Sequence, residues 1–359
     1  MKVGILTYHR SQNYGAQLQA WALKSYVASL GHEVNVIDYW PEYHDGLYRH
    51  EYFYKAVFVN KSVPGKIKYL VRALAMKFLA ARRHRSCVLF AKRNLSLSAA
   101  KSYDAIIYGS DQIWRKQHLP GCESFNPVYF GGGGYQATKM LSYAASMGPI
   151  EAGSAEDVEF VKGSLGKFAA LSVREKDLQE FLAGKAGLSA SLVCDPVFLL
   201  SAQEWVTLAG LDNYSTKKHI LLYNLCNIPE VEAKASELSG QTGIPVVRYS
   251  GQVLKFPEGK SDKLAHGPLD FLRDLYSAEY VVTSSFHGVA LSLVFGKPFF
   301  YASQPGLSGR VMQLLAGIGA PSADMLRCSS TDDMTSALKK MSENSQKWLM
   351  VSLDNQHGQ

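Results

Sequence analysis

The groups able to do chemistry gather where apolar runs stop. Val281-Val282-Thr283 gives way to Ser284-Ser285-Phe286-His287-Gly288, and an apolar helix pattern, Val289 to Leu293, begins at once. This reads as the carboxyl end of a buried parallel strand feeding a helix N-terminus, the place where open α/β sheets bind ligands. Free backbone N–H groups, the Ser284 and Ser285 hydroxyls and the helix dipole favour an anion there, and His287 can give or take a proton beside it. A capped helix with a merely hydrogen-bonded histidine would satisfy the same residues. Two further strand ends carry charge. Gly109-Ser110-Asp111-Gln112-Ile113-Trp114 follows the run Ala105 to Tyr108, and Arg174-Glu175 follows Ala170 to Val173. Arg174 offers the planar fork that suits a carboxylate or phosphate, unless it only pairs with Glu175 or Asp195. Asp111 is either a proton acceptor or a helix cap. Arg310, in the first turn of a later helix pattern, is a second candidate cation.

The elements that must position these groups alternate between strand and helix. A strand near 3–7, a polar loop His9 to Gly15, a helical pattern carrying Leu18, Trp21, Ala22, Tyr26 and Leu30, and a strand near 33–39 form a βαβ unit. The loop lacks a G-x-G-x-x-G fingerprint, which argues against a dinucleotide. Gly131 to Gly134 lack the following Lys and Ser/Thr of a phosphate loop. A polar patch, Asp212 to Lys218, divides a first domain, residues 1–212, from a second, residues 213–359, in which the alternation restarts. The last thirty or so residues should form a helix that packs back on the body.

The charge is unevenly placed. Of a net +7, twelve cations and no acid lie between Tyr52 and Tyr103, so the remainder is net negative by five (7 − 12 = −5). Within this insertion Ile67, Leu70, Val71, Leu74 and Phe78 recur at helical spacing, with Lys68, Arg72, Arg82, Arg83 and Arg85 largely off the stripe. Residues 66–85 are therefore either a surface helix packed on the domain or a contact for an anionic membrane or phosphorylated lipid carrier. Nucleic acid is disfavoured, because no aromatic-interleaved basic array accompanies the charge. Hydrophobic content of 47% and charged content of 19% describe a globular protein with no run approaching the roughly 18 to 20 apolar residues of a membrane span. The N-terminus lacks the pattern of a signal peptide, which places the protein in the cytoplasm, with the inner face of the membrane as a peripheral site. Five scattered cysteines without a C-x-x-C pair argue against a disulfide framework and a zinc site.

Six segments then form a set: Asn13-Tyr14-Gly15-Ala16-Gln17-Leu18-Gln19, Gly109 to Trp114, Ser142-Tyr143-Ala144-Ala145-Ser146, Val173-Arg174-Glu175-Lys176, Asp195-Pro196 and Thr283 to Gly288. In this order they resemble the motifs of the polysaccharide pyruvyl transferase family, the ketal pyruvyltransferases, across nearly the whole chain. The resemblance implies an α/β fold of two Rossmann-like, doubly wound domains facing a cleft, similar to the GT-B glycosyltransferases. It implies transfer of pyruvate from phosphoenolpyruvate to a pair of sugar hydroxyls as a ketal, with phosphate released and no metal or further cofactor. His287, Asp111 and Arg174 are then the expected catalytic residues. Ser284, Ser285, Gly288, Arg310, Asn13, Tyr14, Gln17, Ser110, Trp114 and Ser146 are the expected substrate contacts. Where the family often has an Asn-x-Arg-Ile segment, this chain reads Ser308-Gly309-Arg310-Val311 and keeps only the arginine.

The residues fit that chemistry. Protonating the methylene carbon of the enol phosphate leaves positive charge on the adjacent carbon, to which a sugar hydroxyl adds before a second displaces phosphate. This needs an acid, an acceptor for hydroxyl protons, and cations for a carboxylate and a phosphate. His287 supplies the first, Arg174 and Arg310 the last, and Asp111 either accepts a proton from the sugar or orients His287. The acceptor would be a capsular or exopolysaccharide repeat unit, free or carried on a lipid diphosphate. A glycosyltransferase using a nucleotide sugar, or a non-catalytic member binding a glycan or partner protein, shares the fold class, and fold alone does not choose among them.

Overall fold

β1 (Lys2–Leu6) and β2 (Glu33–Ile37) flank α1 (Tyr14–Ser29). Apart from Lys2, β1 is wholly buried, as an apolar strand covered on both faces must be. The long α2 (Val63–Asn94) leads to β3 (Leu97–Ser98), β4 (Ser102–Tyr108) and β5 (Gln136–Ser142). All five strands are parallel in the order β3-β2-β1-β4-β5, with Ile5 registered between Val36 and Ile107. After α3 (Ala155–Leu165) come β6 (Ser172–Val173), α4 (Lys176–Phe181) and β7 (Ser191–Leu192). Parallel bridges Leu141 to Ala170 and Ala145 to Val173 lay β6 beside β5, continuing the order outward. The computed structural model describes residues 1–44, 58–59, 62–119, 121–212, 214, 217–251, 262–304, 309–320, 322–325 and 332–354. Ser308, Cys328 and parts of the polar patch and of the insertion lie outside them.

A second sheet is built from β8 (Ile220–Asn224), β9 (Val246–Ser250), β10 (Tyr280–Thr283) and β11 (Phe299–Tyr301), parallel and ordered β11-β10-β8-β9. Its helices are α6 (Pro229–Thr242), α7 (Pro268–Ser277), α8 (Phe286–Val294) and α9 (Gly309–Gly317), with α5 (Ala202–Ala209) ahead of them. These are the two Rossmann-like, doubly wound halves expected from the sequence. Strand order reverses between β1 and β4 in the first sheet and between β8 and β10 in the second, and at such a point helices on opposite faces diverge to leave a crevice.

The halves share one core. Leu18 and Trp21 of α1 belong to the same apolar cluster as Leu221, Tyr223, Phe271 and Val281. The Tyr14 ring lies among Tyr223, Tyr249 and Phe271, with centroids 5.9, 5.7 and 5.2 Å away. This position between two sheets explains why nearly the whole first half of α1 is buried. The last helix, α10 (Asp332–Asp354), returns to the first half: Ser345 Oγ accepts from the Cys194 amide at 2.9 Å, and Lys139 Nζ donates to the Leu353 carbonyl at 2.9 Å.

The basic helix is longer than its periodicity predicts, and it packs on the other side. Met76, Arg83, Cys87, Phe90 and Ala91 are buried, whereas Ile67, Val71, Leu74 and Phe78, read as the packing stripe, are 60–67% exposed. The helix is thus a surface helix packed on the domain, but through the face opposite the apolar stripe. Among the described residues no helix is long and apolar enough to cross a membrane.

Candidate active site

Both reversal points supply the same place. The loop after β1 runs into the start of α1, the loop after β4 carries Asp111, and β10 runs into α8, whose first turn holds His287. Gly15 lies directly on the His287 imidazole, and a Cβ there would overlap the ring at Nδ1 and Cγ. The first turn of each helix therefore touches the other, and only glycine permits it.

Arg174 sits just beyond β6, its side chain 3% exposed, among three carboxylates. Its Nη1 donates to Asp195 Oδ2 at 2.6 Å and its Nε to Glu175 Oε1 at 2.9 Å, while Nη2 lies 3.5 Å from Asp111 Oδ1. Burial pushes the pKa of Arg174 down, but Glu175, Asp195 and Asp111 outweigh it and raise it. Burial would likewise raise Asp195. The neighbouring His287 and Arg174 and the Val197 amide reverse that and hold the carboxyl at about 2.

His287 Nε2 is 3.6 Å from Asp195 Oδ2, within Coulombic range but too long for a hydrogen bond. The carboxylate beside the histidine is thus Asp195, whereas Asp111 meets Arg174. The alternative in which Asp111 orients His287 is corrected on that ground. Arg310, half-buried in the first turn of α9, has its pKa lowered by burial and by the charge of Arg174. With the Gln112 amide oxygen turned toward it, that oxygen accepts from Nη2 at 3.0 Å and Nη1 at 3.2 Å. The Phe286 ring bridges the two cations: the guanidinium carbon of Arg174 is 5.2 Å from its centroid and that of Arg310 5.9 Å.

Three buried polar atoms at this centre have no hydrogen-bond partner: Arg174 Nη2, Glu175 Oε2 and His287 Nε2. Such atoms are rare in folded proteins because each forgoes solvation without replacement. Three from one cluster make it the candidate place for a polar ligand. Two guanidiniums against three carboxylates leave a charge of 2 − 3 = −1, which protonation of His287 brings to zero.

The remaining expected contacts divide. Ser285 caps α8, its Oγ accepting from the Gly288 amide at 3.4 Å, and Gly288 is pressed on the Thr283 side chain. Ser284 is drawn beneath the site, its Oγ accepting from the Leu225 amide at 2.9 Å and donating to Asn224 Oδ1 at 3.1 Å. Asn13 caps α1 through the Gly15 amide at 3.0 Å. Gln17 is buried, its Nε2 donating to the Ser11 carbonyl at 2.8 Å and its Oε1 unpartnered. Ser110 donates to Gln19 Oε1 at 2.7 Å, and Ser146 Oγ accepts from the Gly148 amide at 3.1 Å. Tyr14 is fully buried, its hydroxyl donating to the His266 carbonyl at 2.9 Å, and Trp114 is fully buried with its indole N–H on the Tyr129 carbonyl at 2.9 Å. Both are framework, not surfaces a substrate can reach.

Asp195, Glu175, Gln112, Phe286 and Gly15 join the site although the sequence reading did not select them. Each neighbours a selected residue or stands in a quoted motif, which is the signal that could have found them. What the sequence lacks is the approach of α1 to α8.

Two doubly wound halves with a charged, partly unsatisfied cluster at both reversal points make a candidate small-ligand site of the α/β class. The polysaccharide pyruvyl transferase family profile matches residues 13–303, and the chain belongs to that family. No curated protein sequence matches it. Solved structures similar in chain arrangement include the glycosyltransferase SnogD from Streptomyces nogalater, at 11% identity over 98% of this chain and 99% of that one, TM-score 0.39. The kitacinnamycin glycotransferase has 10% identity over 98% and 96%, TM-score 0.44. The UDP complex of S. aureus MnaA has 11% identity over 99% and 88%, TM-score 0.43.

Proposed function

We propose that this site transfers pyruvate from phosphoenolpyruvate to two hydroxyls of a sugar in a capsular or exopolysaccharide repeat unit, forming a ketal. Family membership supports pyruvyl transfer. The observation that carries the donor is the pair of guanidiniums sharing Phe286, with Arg174 Nη2 and His287 Nε2 buried between the halves and without a hydrogen-bond partner. A donor bearing a carboxylate and a phosphate needs two cations, and an enol needs a proton source beside them.

In this reading Arg174 and Arg310 hold the two anionic groups, and His287 delivers a proton to the methylene carbon. One sugar hydroxyl adds to the central carbon and loses its proton. The carbon–oxygen bond to phosphate then breaks, and the second hydroxyl closes the ketal. Two hydroxyl protons are lost, one restoring the proton given to the methyl group and one leaving with phosphate. Asp195 lies beside His287 with its Oδ2 3.6 Å from Nε2, and in this reading Asp111 receives a hydroxyl proton.

The test is thermal unfolding with phosphoenolpyruvate and, separately, UDP- and GDP-sugars. Ligand at about 100 times its dissociation constant stabilises by roughly 2.7 kcal/mol, moving Tm by a few degrees. We expect phosphoenolpyruvate to shift the wild type and not Arg310→Ala. A shift with a nucleotide sugar alone would replace this reading by glycosyl transfer.

A further inference from the structure

The outward face of α2 is unused by the site. Val63, Ile67, Leu70, Val71, Leu74 and Phe78 are 40–71% exposed on that one helix. At about 3.6 residues per turn they fall within one arc of roughly 100°, and the buried Met76, Arg83 and Cys87 lie on the opposite side. The stripe is about 22 Å long at about 1.5 Å per residue. Lys68 flanks it on one side and Lys77 on the other, Arg85 continues its line, and all three are exposed. From Ser62 to Asn94 there is no acidic residue.

From this arrangement we infer that α2 is a docking face for an anionic lipid bilayer. Apolar side chains along one line, bordered by cations and turned from the body, suit a helix lying in the headgroup region, where the stripe enters the acyl boundary and the lysines meet phosphates. Charge separates this occupant from a second copy of the chain. Two such helices face to face would oppose Lys68, Lys77 and Arg85 with the same residues, and the helix offers no carboxylate to pair with them. An anionic surface supplies the missing charge.

The inner side of the same helix reaches the site's frame. Arg83 stacks on Tyr14 at 4.5 Å and donates to the Gln12 carbonyl at 3.0 Å, next to the turn whose Gly15 touches His287. A docked α2 therefore holds the start of α1 about one helix thickness, roughly 10 Å, from the lipid. If the pyruvyl-transfer reading holds, this favours an acceptor saccharide carried on a lipid. The docking itself does not depend on that reading.

The experiment is flotation of the full chain with vesicles of phosphatidylcholine alone or with about one-third phosphatidylglycerol, at low and high salt. The wild type should float only with the anionic vesicles and be released by salt. Lys68→Gln with Lys77→Gln should weaken binding by about fivefold per cation. Leu74→Ser with Phe78→Ser should weaken it about tenfold or more. Both pairs should keep the wild-type Tm and phosphoenolpyruvate shift, because the four side chains are exposed. Equal flotation with neutral vesicles, or unaltered binding by the Ser pair, overturns the inference. So does a wild-type dimer in sedimentation equilibrium that the Ser pair dissociates, since a second copy would then cover the face. Loss of the phosphoenolpyruvate shift with flotation intact would strike the transfer reading alone.

Discussion

The strand end Gly109 to Trp114 and the strand end Thr283 to Gly288 occupy equivalent reversal points in the two sheets, and they serve the site differently. After β10 the chain enters α8 at once, and the helix start carries His287, whose Nε2 has no hydrogen-bond partner. After β4 it enters no helix. Asp111 adopts φ 70°, and its carbonyl accepts from the Ser146 amide at 3.0 Å. A non-glycine residue persists in that conformation where its surroundings hold it, and here the Ser146 amide and Arg174 contact it. The first half thus contributes a fixed charge lattice, and the second a titratable group on a helix end. In both strand ends the hydroxyls are scaffold. Ser110 bonds Gln19, and Ser284 bonds Leu225 and Asn224.

If the lattice is structural and His287 is not, substitutions in the two halves should separate stability from turnover. Arg174→Gln leaves buried Asp195 and Glu175 without their cation. Removing one partner of such a pair costs about 3–5 kcal/mol, so a large fall in denaturant midpoint is expected together with loss of donor binding. His287→Asn breaks no hydrogen bond of the fold. It should keep Tm within a few degrees and retain phosphoenolpyruvate binding while turnover falls by about 10² to 10⁴. Equal destabilisation by both changes would erase the distinction between the halves.

Gly15→Ala sharpens the comparison at the point where the halves touch. The added methyl would strike the His287 ring, which has the Asp195 carboxylate close beyond it. Displacing the imidazole by about 1 Å should cost about 100-fold in kcat, with a smaller change in KM for phosphoenolpyruvate, since neither arginine moves. A wild-type kcat would show that His287 does not need its place against α1.

Much of this was legible beforehand. The alternation of apolar runs and helical patterns placed both sheets, and the polar stops after β4, β6 and β10 placed Asp111, Arg174 and His287. Arg310 was legible as a cation at a helix start. Asp195 was legible as a partner for Arg174, which its Oδ2 meets, but not as the carboxylate beside His287 or as the cap whose Oδ1 accepts from the Val197 amide at 3.1 Å. Sequence shows one use for a carboxylate and hides the others. Tyr14 misled for the opposite reason. It stands between a cap and a contact glycine, yet alternate sides of one helical turn face the site and the core. For α2, periodicity revealed the apolar stripe but not the side on which the body lies, since Met76, Cys87 and Phe90 make a second, sparser stripe.

The smallest effect concerns the lattice under acid. Asp195 is held at about 2 in the folded chain against an ordinary 3.8. A carboxyl with a depressed folded pKa contributes stability that is complete above its unfolded pKa and is lost as pH falls through the folded one. For Asp195 the window runs from about pH 4 down to about pH 2, and the difference is worth about 2 kcal/mol. Asp195→Asn should remove that slope, so wild type and variant should converge in urea midpoint toward pH 2 and part above pH 4. His287 and Arg174 both lean on this one carboxylate, so its loss should also weaken the second half's hold on the first. If the two curves stay parallel through the window, Asp195 is not the group that ties the histidine to the lattice, and the site would have to be held by Glu175 and Asp111 instead.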